Sequence, residues 1–535
     1  MTTAKSIWHE RLAWSWFALG ALIALWAHAM AAIGAFSMAG ALAFDYPLRL
    51  VEVVYAAKGL TPYVDFGFVY PPGQVWFYGK LLRLQDPGVI NAAITLGNLL
   101  LVSICAWQVM RLTPGWRRLF GGTVLLVLGG AMPVALQSFD LEPIILLLIA
   151  VLLVEEVMER GSSAARLSAL VGVAVVGTLF RWDWILPVAV LEAGWAAVIW
   201  LIVGILNPDQ SILVRRIVAR LWRAALAALA GGVLAMAVIV GHALATGTWA
   251  DTRLFIFNVP VLTLPFRRLP LPVGIHLPTV LWLVDIIAMA LIALAASLDY
   301  VKSRPGFRLA YLLKGGALLA PCVILLPYTF TRADGSHFVP FSMLVMVTSM
   351  AAFTIWRHRA ARSVLLIVLV MTAVPFLYAA LRGVFEGSVQ KVDIHLQRVH
   401  KLTAECSSIF PRDARSLFVG QISYNRFIIN SPIFYLIRPD LRPATPFISD
   451  EPGVQNSCTL GSRIATDLIR APRPLILVLD TQPYSPEPNL TRTMTSCGKI
   501  EAAIAAMPAV VLGTCQVREH SGSDTGRIFR VMAVR

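Results

Sequence analysis

Five stretches of the chain carry groups able to move protons or hold phosphate. The first contains Asp45, Glu52 and Asp65, the second Asp140 and Glu142, and the third Arg181 and Asp183. Asp251, Arg253, Arg267 and Arg268 form the fourth, and Arg332, Asp334 and His337 the fifth. A carboxylate beside a hydroxyl can act as a general base, and several together can hold a hard cation through oxygen. Arginine presents a planar fork that matches phosphate oxygens, and a nearby histidine adds a hydrogen bond or a proton. The same spacings also allow plain structural roles. Arg181 can pair internally with Asp183, and Arg332 with Asp334. Asp45, just ahead of Pro47, can cap a helix.

The elements that must position these groups are membrane spans. The chain has 535 residues, 58% hydrophobic and 14% charged, a balance outside the soluble globular range. Apolar runs recur near 14–36, 90–110, 119–136, 143–158, 167–180, 184–206, 224–246, 277–297, 309–329, 338–356 and 363–381, about eleven helices in all. The first lacks a clear cleavage site and reads as a retained helix. One set of connections is basic: RLTPGWRR (111–118), SILVRRIVARLWR (211–223), DYVKSRPGFR (299–308) and RHRAAR (357–362). The positive-inside rule makes this set and the N-terminus cytoplasmic, so the five reactive stretches lie outside. Much of the net charge of +15 gathers in those cytoplasmic connections, and no basic stripe interleaved with aromatics argues for nucleic acid as a partner. The expected plan is a polytopic α-helical membrane region at 1–381, with a long first outer loop at 37–89, and an exported α/β domain at 382–535. Charges gathered at helix ends suit chemistry at the membrane surface better than a conduit, which places them near the midplane.

In the tail, strand-like runs stand at 416–420, 474–480, 509–515 and 527–534, with a helical pattern at 459–470. Four of the six cysteines fall there: Cys406, Cys458, Cys497 and Cys515. An even number in an exported domain implies two disulfides, and Cys497–Cys515 with Cys406–Cys458 is the expected pairing of the three available. No glycine-rich nucleotide loop or CxxC occurs.

The first outer loop holds the most specific motif. Asp45 is followed by Glu-x-x-Tyr-Ala-Ala (52–57), Gly-x-x-Pro-Tyr-x-Asp-Phe (59–66) and Tyr-Pro-Pro-Gly (70–73). This resembles the first outer loop of polyprenyl-phosphate-dependent glycosyltransferases of the GT-C superfamily, with aminoarabinose, mannosyl and arabinofuranosyl transferases nearest. RADGSH (332–337) resembles a later loop motif of the same group.

The resemblance implies a multi-pass enzyme of a bacterial inner membrane with a periplasmic tail. It would move a sugar from a polyprenyl-phosphate donor, with inversion, to lipid A, a surface or cell-wall glycan, a lipid or a protein. A first-loop acid is the base. Asp45 matches that position best and Glu52 stands at the second acidic position, while Arg49 and Leu50 depart from the group's acidic pair. Arg181, Arg332, His337 and Lys80 are then candidates for the donor phosphate, and Asp140, Glu142, Asp183 and Asp334 for substrate hydroxyls. Asp140 and Glu142, with Asp45, could also hold Mg or Mn, since some members of the group need a metal and others do not. Tyr63, Asp65, Tyr70, Pro71 and Pro72 shape the loop. The start of the loop is expected as a helix lying on the membrane surface, and 73–84 as a second, interfacial helix. The rival reading is a transporter or flippase of a lipid-linked sugar, which buried mid-helix charges would favour.

Overall fold

The computed structural model describes Ser15, 45–83, 141–206, 211–267, 277–302, 316, 319–327, parts of 341–349, and 358–385. In the tail it describes 406–425, 432–451, 453–481, 495–517 and 527–535. The chain divides into two compact units. One comprises Met1–Ala31, Ala92–Ile239 and Pro270–Glu386; the other comprises Ala32–Asn91, Val240–Leu269 and Gly387–Arg535. The second unit therefore joins the first outer loop and the 240–269 segment to the tail.

Two helices open the second unit, α1 (Asp45–Ala57) and α2 (Gly73–Leu82). The first unit contributes α3 (Leu141–Arg160), α4 (Ala164–Phe180), α5 (Trp182–Leu206), most of α6 (Ser211–Ala245), α9 (Leu277–Lys302) and α10 (Arg359–Phe385). Between α6 and α9, in the second unit, lie α7 (Trp249–Arg253), one π turn (Leu254–Asn258) and α8 (Val259–Arg267).

The short apolar runs at 143–158 and 167–180 extend into helices of 20 and 17 residues. The basic stretch 211–223, expected as a connection, is instead the first part of α6. Its Arg, Leu and Ala residues are strong helix formers and no proline interrupts them, so nothing stops the helix before the apolar run begins. Among the described residues, two helices are long and apolar enough to cross a bilayer, over Trp182–Leu201 and Val214–Ala245. Large apolar side chains face outward from both, including Trp200, Leu201, Val233 and Leu234. Inside the unit, Leu147, Leu148 and Val151 of α3 join Ala174 of α4, Ala228 of α6, Ile292 of α9 and Leu365 of α10 in one apolar core. Small residues allow close approach there: a β-carbon on Gly231 of α6 would meet Ala174 of α4 at 2.8 Å.

In the tail, β1 (Ser416–Gln421), α11 (Ile433–Ile437), β2 (Arg442–Pro443), α12 (Cys458–Arg470), β3 (Leu475–Asp480), α13 (Lys499–Ala506), β4 (Ala509–Val517) and β5 (Arg527–Val534) follow in order. The sheet order is β2-β1-β3-β5-β4, parallel from β2 to β3 and antiparallel beyond. Residues of β1 and β3 are buried throughout, as suits central parallel strands covered on both faces.

The disulfides correct the expected pairing. They are Cys406–Cys515 and Cys458–Cys497. Nearness in sequence favours Cys497–Cys515, but α13 intervenes between them. Cys458 begins α12, the backbone N–H of Cys497 donates to Asn456 O at 3.1 Å, and the two Cα atoms lie 5.1 Å apart.

Candidate functional site

The first loop folds as a helical hairpin with a tight turn between its arms. Pro47 sits in the first turn of α1, where its missing N–H costs nothing. Pro72 caps α2. A β-carbon on Gly79 of α2 would approach Ala56 at 2.9 Å, so small residues let the two helices meet closely.

Between them the turn is fastened by its own polar groups. Asp65 Oδ2 accepts the Thr61 N–H at 2.8 Å, and the Tyr63 N–H donates to Phe66 O at 2.7 Å. The buried Tyr63 takes a left-handed backbone, φ +72°, and its hydroxyl donates to Tyr70 O at 2.8 Å. A bulky side chain in that region is a genuine outlier, held only because its surroundings over-determine it. Pro71 and Pro72 are buried beside it.

Helix α1 is packed within the protein. Leu48, Arg49, Val51, Glu52, Val53 and Tyr55 are all buried, and such a run takes in more than one side of a helix. Its partners are α2 and, from the tail, α11, with Tyr55 edge-on to Tyr435 at 6.1 Å. The burial encloses polar groups. Arg49 and Glu52, 4% and 3% exposed, stand three residues apart and therefore on one face. The Arg49 guanidinium lies over the Tyr78 ring at 4.8 Å, and Gln74 of α2 is buried too. Burial, reinforced by the nearby Glu52 carboxylate, pushes the Tyr63 phenol well above its ordinary range. Burial does the same to Tyr55. Lys80, by contrast, is exposed.

Arg49 is one of the two residues, with Leu50, that depart from the expected acidic pair. Its spacing from Glu52 was the available signal that both belong to one buried face. The hairpin is also anchored to the tail and to the end of α6, and the segment after α6 is tied to the tail in turn. Arg442 pairs with Asp65 at 3.1 Å, and the Gly67 N–H donates to Pro446 O. Phe255 stacks on Phe447 at 5.0 Å, Arg463 pairs with Asp251 at 2.6 Å, and Trp76 packs on His242.

The other expected groups fall elsewhere. Arg181, Asp183 and Glu142 belong to the helical unit. Arg181 terminates α4, donates to Asp183 at 3.0 and 2.9 Å, and stacks on Trp184 at 4.7 Å while only 2% exposed. The internal pair is therefore made. Glu142 is in the first turn of α3, where a carboxylate suits the helix dipole. Asp140, Arg332, Asp334 and His337 lie outside the described residues, as does the side chain of Asp45. The expected Mg or Mn set thus falls partly outside them, and among the described residues no three His, Cys, Asp or Glu side chains gather.

Two acids correct the reading that charges sit only at helix ends. Glu192 lies within α5 and Asp285 within α9, each 2% exposed. Asp285 accepts from Ser342 Oγ, which is 2.8 Å from both carboxylate oxygens. Compared with protein-family models and with curated proteins, the sequence matches none.

Proposed function

We propose that the chain is a membrane glycosyltransferase of the GT-C type, taking a sugar from a polyprenyl-phosphate donor at the outer membrane surface. The observation that carries this reading is the first-loop hairpin, whose enclosed face presents Arg49, Glu52 and Gln74 beside the strained Tyr63. A loop that merely joined two spans would have no reason to bury a carboxylate and a guanidinium, since each loses its hydration. To serve as general base near the acceptor hydroxyl, a carboxylate must be held in place and screened from bulk water. Glu52 has that setting. Asp45, two helix turns further toward the N-terminus, is the other acid able to serve.

Purified protein incubated with radiolabelled polyprenyl-phosphate sugars and lipid or glycan acceptors tests the reading. Loss of the general base lowers turnover by roughly 10²- to 10⁴-fold. Glu52→Gln and Asp45→Asn are compared, and the base is the acid whose amide variant shows that loss with donor binding retained. Transfer unchanged in both variants sinks the base assignment, and no transfer from any donor sinks the enzyme.

A second reading has specific support. Glu192 and Asp285, buried within helices, are what a transporter of a lipid-linked sugar would use. Donor movement across vesicles without transfer would select it.

A further inference from the structure

The first part of α6 carries arginines for which the reaction has no use. Arg216, Arg220 and Arg223 are spaced i, i+4, i+7 and form one stripe along the helix. The stripe runs along the connection between α3 and α4. Arg220 Nη1 donates to Met158 O at 2.8 Å and Glu159 O at 3.3 Å, and Arg223 Nη1 donates to Ser162 Oγ at 2.9 Å. From α4, Arg166 Nη1 donates to Gly161 O at 2.9 Å. The nearby acids are few. Glu156 faces Arg160 at 3.4 Å and Arg166 at 3.7 Å, and Glu159 is exposed close by. Among the described residues no carboxylate forms an ion pair with Arg215, Arg216, Arg220 or Arg223. Arg215, Arg216 and Arg223 are exposed, and so are Ile212 and Trp222, 73% and 42%. These arginines occupy the first turns of Val214–Ala245, the part of α6 long and apolar enough to cross a bilayer.

We propose that this collar is a docking surface for anionic phospholipid headgroups. The lipid phosphates would sit against Arg215, Arg216 and Arg223, with Trp222 and Ile212 entering the interface beside them. Charge complementarity argues for this occupant. Uncompensated arginines at the head of an apolar span meet the anionic surface of the cytoplasmic leaflet, where the positive-inside rule puts them. Arginine also suits phosphate better than a point charge does, because its fork takes two oxygens. Arg220 is different: its bonds to backbone carbonyls hold α6 against the C-terminal end of α3. The proposal rests on the membrane reading of α5 and α6 and is independent of sugar transfer.

The test measures thermal unfolding of the full-length protein in detergent while phosphatidylglycerol, phosphatidylcholine or inorganic phosphate is titrated. Phosphatidylglycerol is expected to raise the melting temperature; phosphatidylcholine and inorganic phosphate at the same concentrations are not. Each arginine removed should weaken the phosphatidylglycerol effect about fivefold, so Arg216→Gln with Arg223→Gln weakens it roughly 25-fold. Arg220 stays in place, and the variant should melt like wild type in phosphatidylcholine. As a measurement that needs no arginine variant, brominated phosphatidylglycerol should quench wild-type tryptophan fluorescence more than that of Trp222→Phe. Equal stabilisation by phosphatidylcholine, or unchanged phosphatidylglycerol affinity in the double variant with equal quenching of Trp222→Phe, overturns the proposal. A chain that is soluble without detergent overturns the membrane reading with it.

Discussion

At Gly67 the chain has no room for a side chain. A β-carbon there would run into the Phe255 ring and stand 2.8 Å from Pro446 O, while the Gly67 N–H donates to that same oxygen. The loop, the π turn after α7 and the tail converge on this single residue. Gly67→Ala is expected to destabilise the unit by about 1–3 kcal/mol, the usual cost of overpacking, seen as a lower melting temperature. Removing Asp65 should matter less. Its partner Arg442 is 64% exposed, so the pair itself contributes at most about 1 kcal/mol, and Asp65 acts mainly through the Thr61 N–H. Asp65→Asn, which keeps an acceptor oxygen, should therefore melt close to wild type, whereas Asp65→Ala should fall below it.

Two carboxyls of the tail respond to pH in opposite senses. Burial raises the Asp467 carboxyl above its ordinary range, against the hydrogen bond from Thr445 and the charge of Arg463. A raised folded value means that its stabilising contribution is complete below the ordinary value, about 4, and disappears as pH climbs through the folded value. Asp467→Asn removes that dependence, so the variant gains on wild type as pH rises from about 4 to 7, a trend that melting curves will show. Hydrogen bonds from Arg438 lower the Asp440 carboxyl, whose contribution is instead lost as pH falls below its ordinary range. Asp440 is 57% exposed, which keeps that effect small.

Covalent ties act on the scale of elements. Cys406–Cys515 closes a separation of 109 residues and Cys458–Cys497 one of 39. In the chain-entropy account these stabilise the tail by about 5 and about 4 kcal/mol respectively. Replacing Cys458 and Cys497 with serine should lower the tail's melting temperature. Peptide mapping of the unreduced protein should recover fragments linked 406 to 515 and 458 to 497; a 497–515 link would contradict the fold. The expected strands differ from the observed ones by no more than two residues at an end, because alternating and fully apolar β-branched runs are local signals. Partner choice among cysteines is not local. It followed from the packing of α12 against α13, which no spacing encodes.

At the scale of the whole molecule, the tail does not stand apart from the loops. The unit that holds it also takes in Ala32–Asn91 and Val240–Leu269. A chain ending at residue 381 should therefore leave Tyr55, Phe66 and Phe255 without part of their cover. Amide exchange across 45–83 is expected to rise by at least an order of magnitude in such a truncation, because local opening is governed by buried contacts. Protection equal to the full-length protein would mean that the loop folds without the tail.

The sequence by itself determined the helices at 141–160, 164–180, 182–206 and 277–302 and the α/β character of the tail. Periodicity, proline placement and charge bias act over a few residues and can be read one stretch at a time. Only the tertiary structure decided that α1 is enclosed, that Arg49 and Glu52 share its buried face, that Tyr63 is held left-handed, and which cysteines pair. Each of these depends on what lies across a contact from a segment distant in the chain, as Asp65 and Arg442 do. Burial exists only once those distant segments meet.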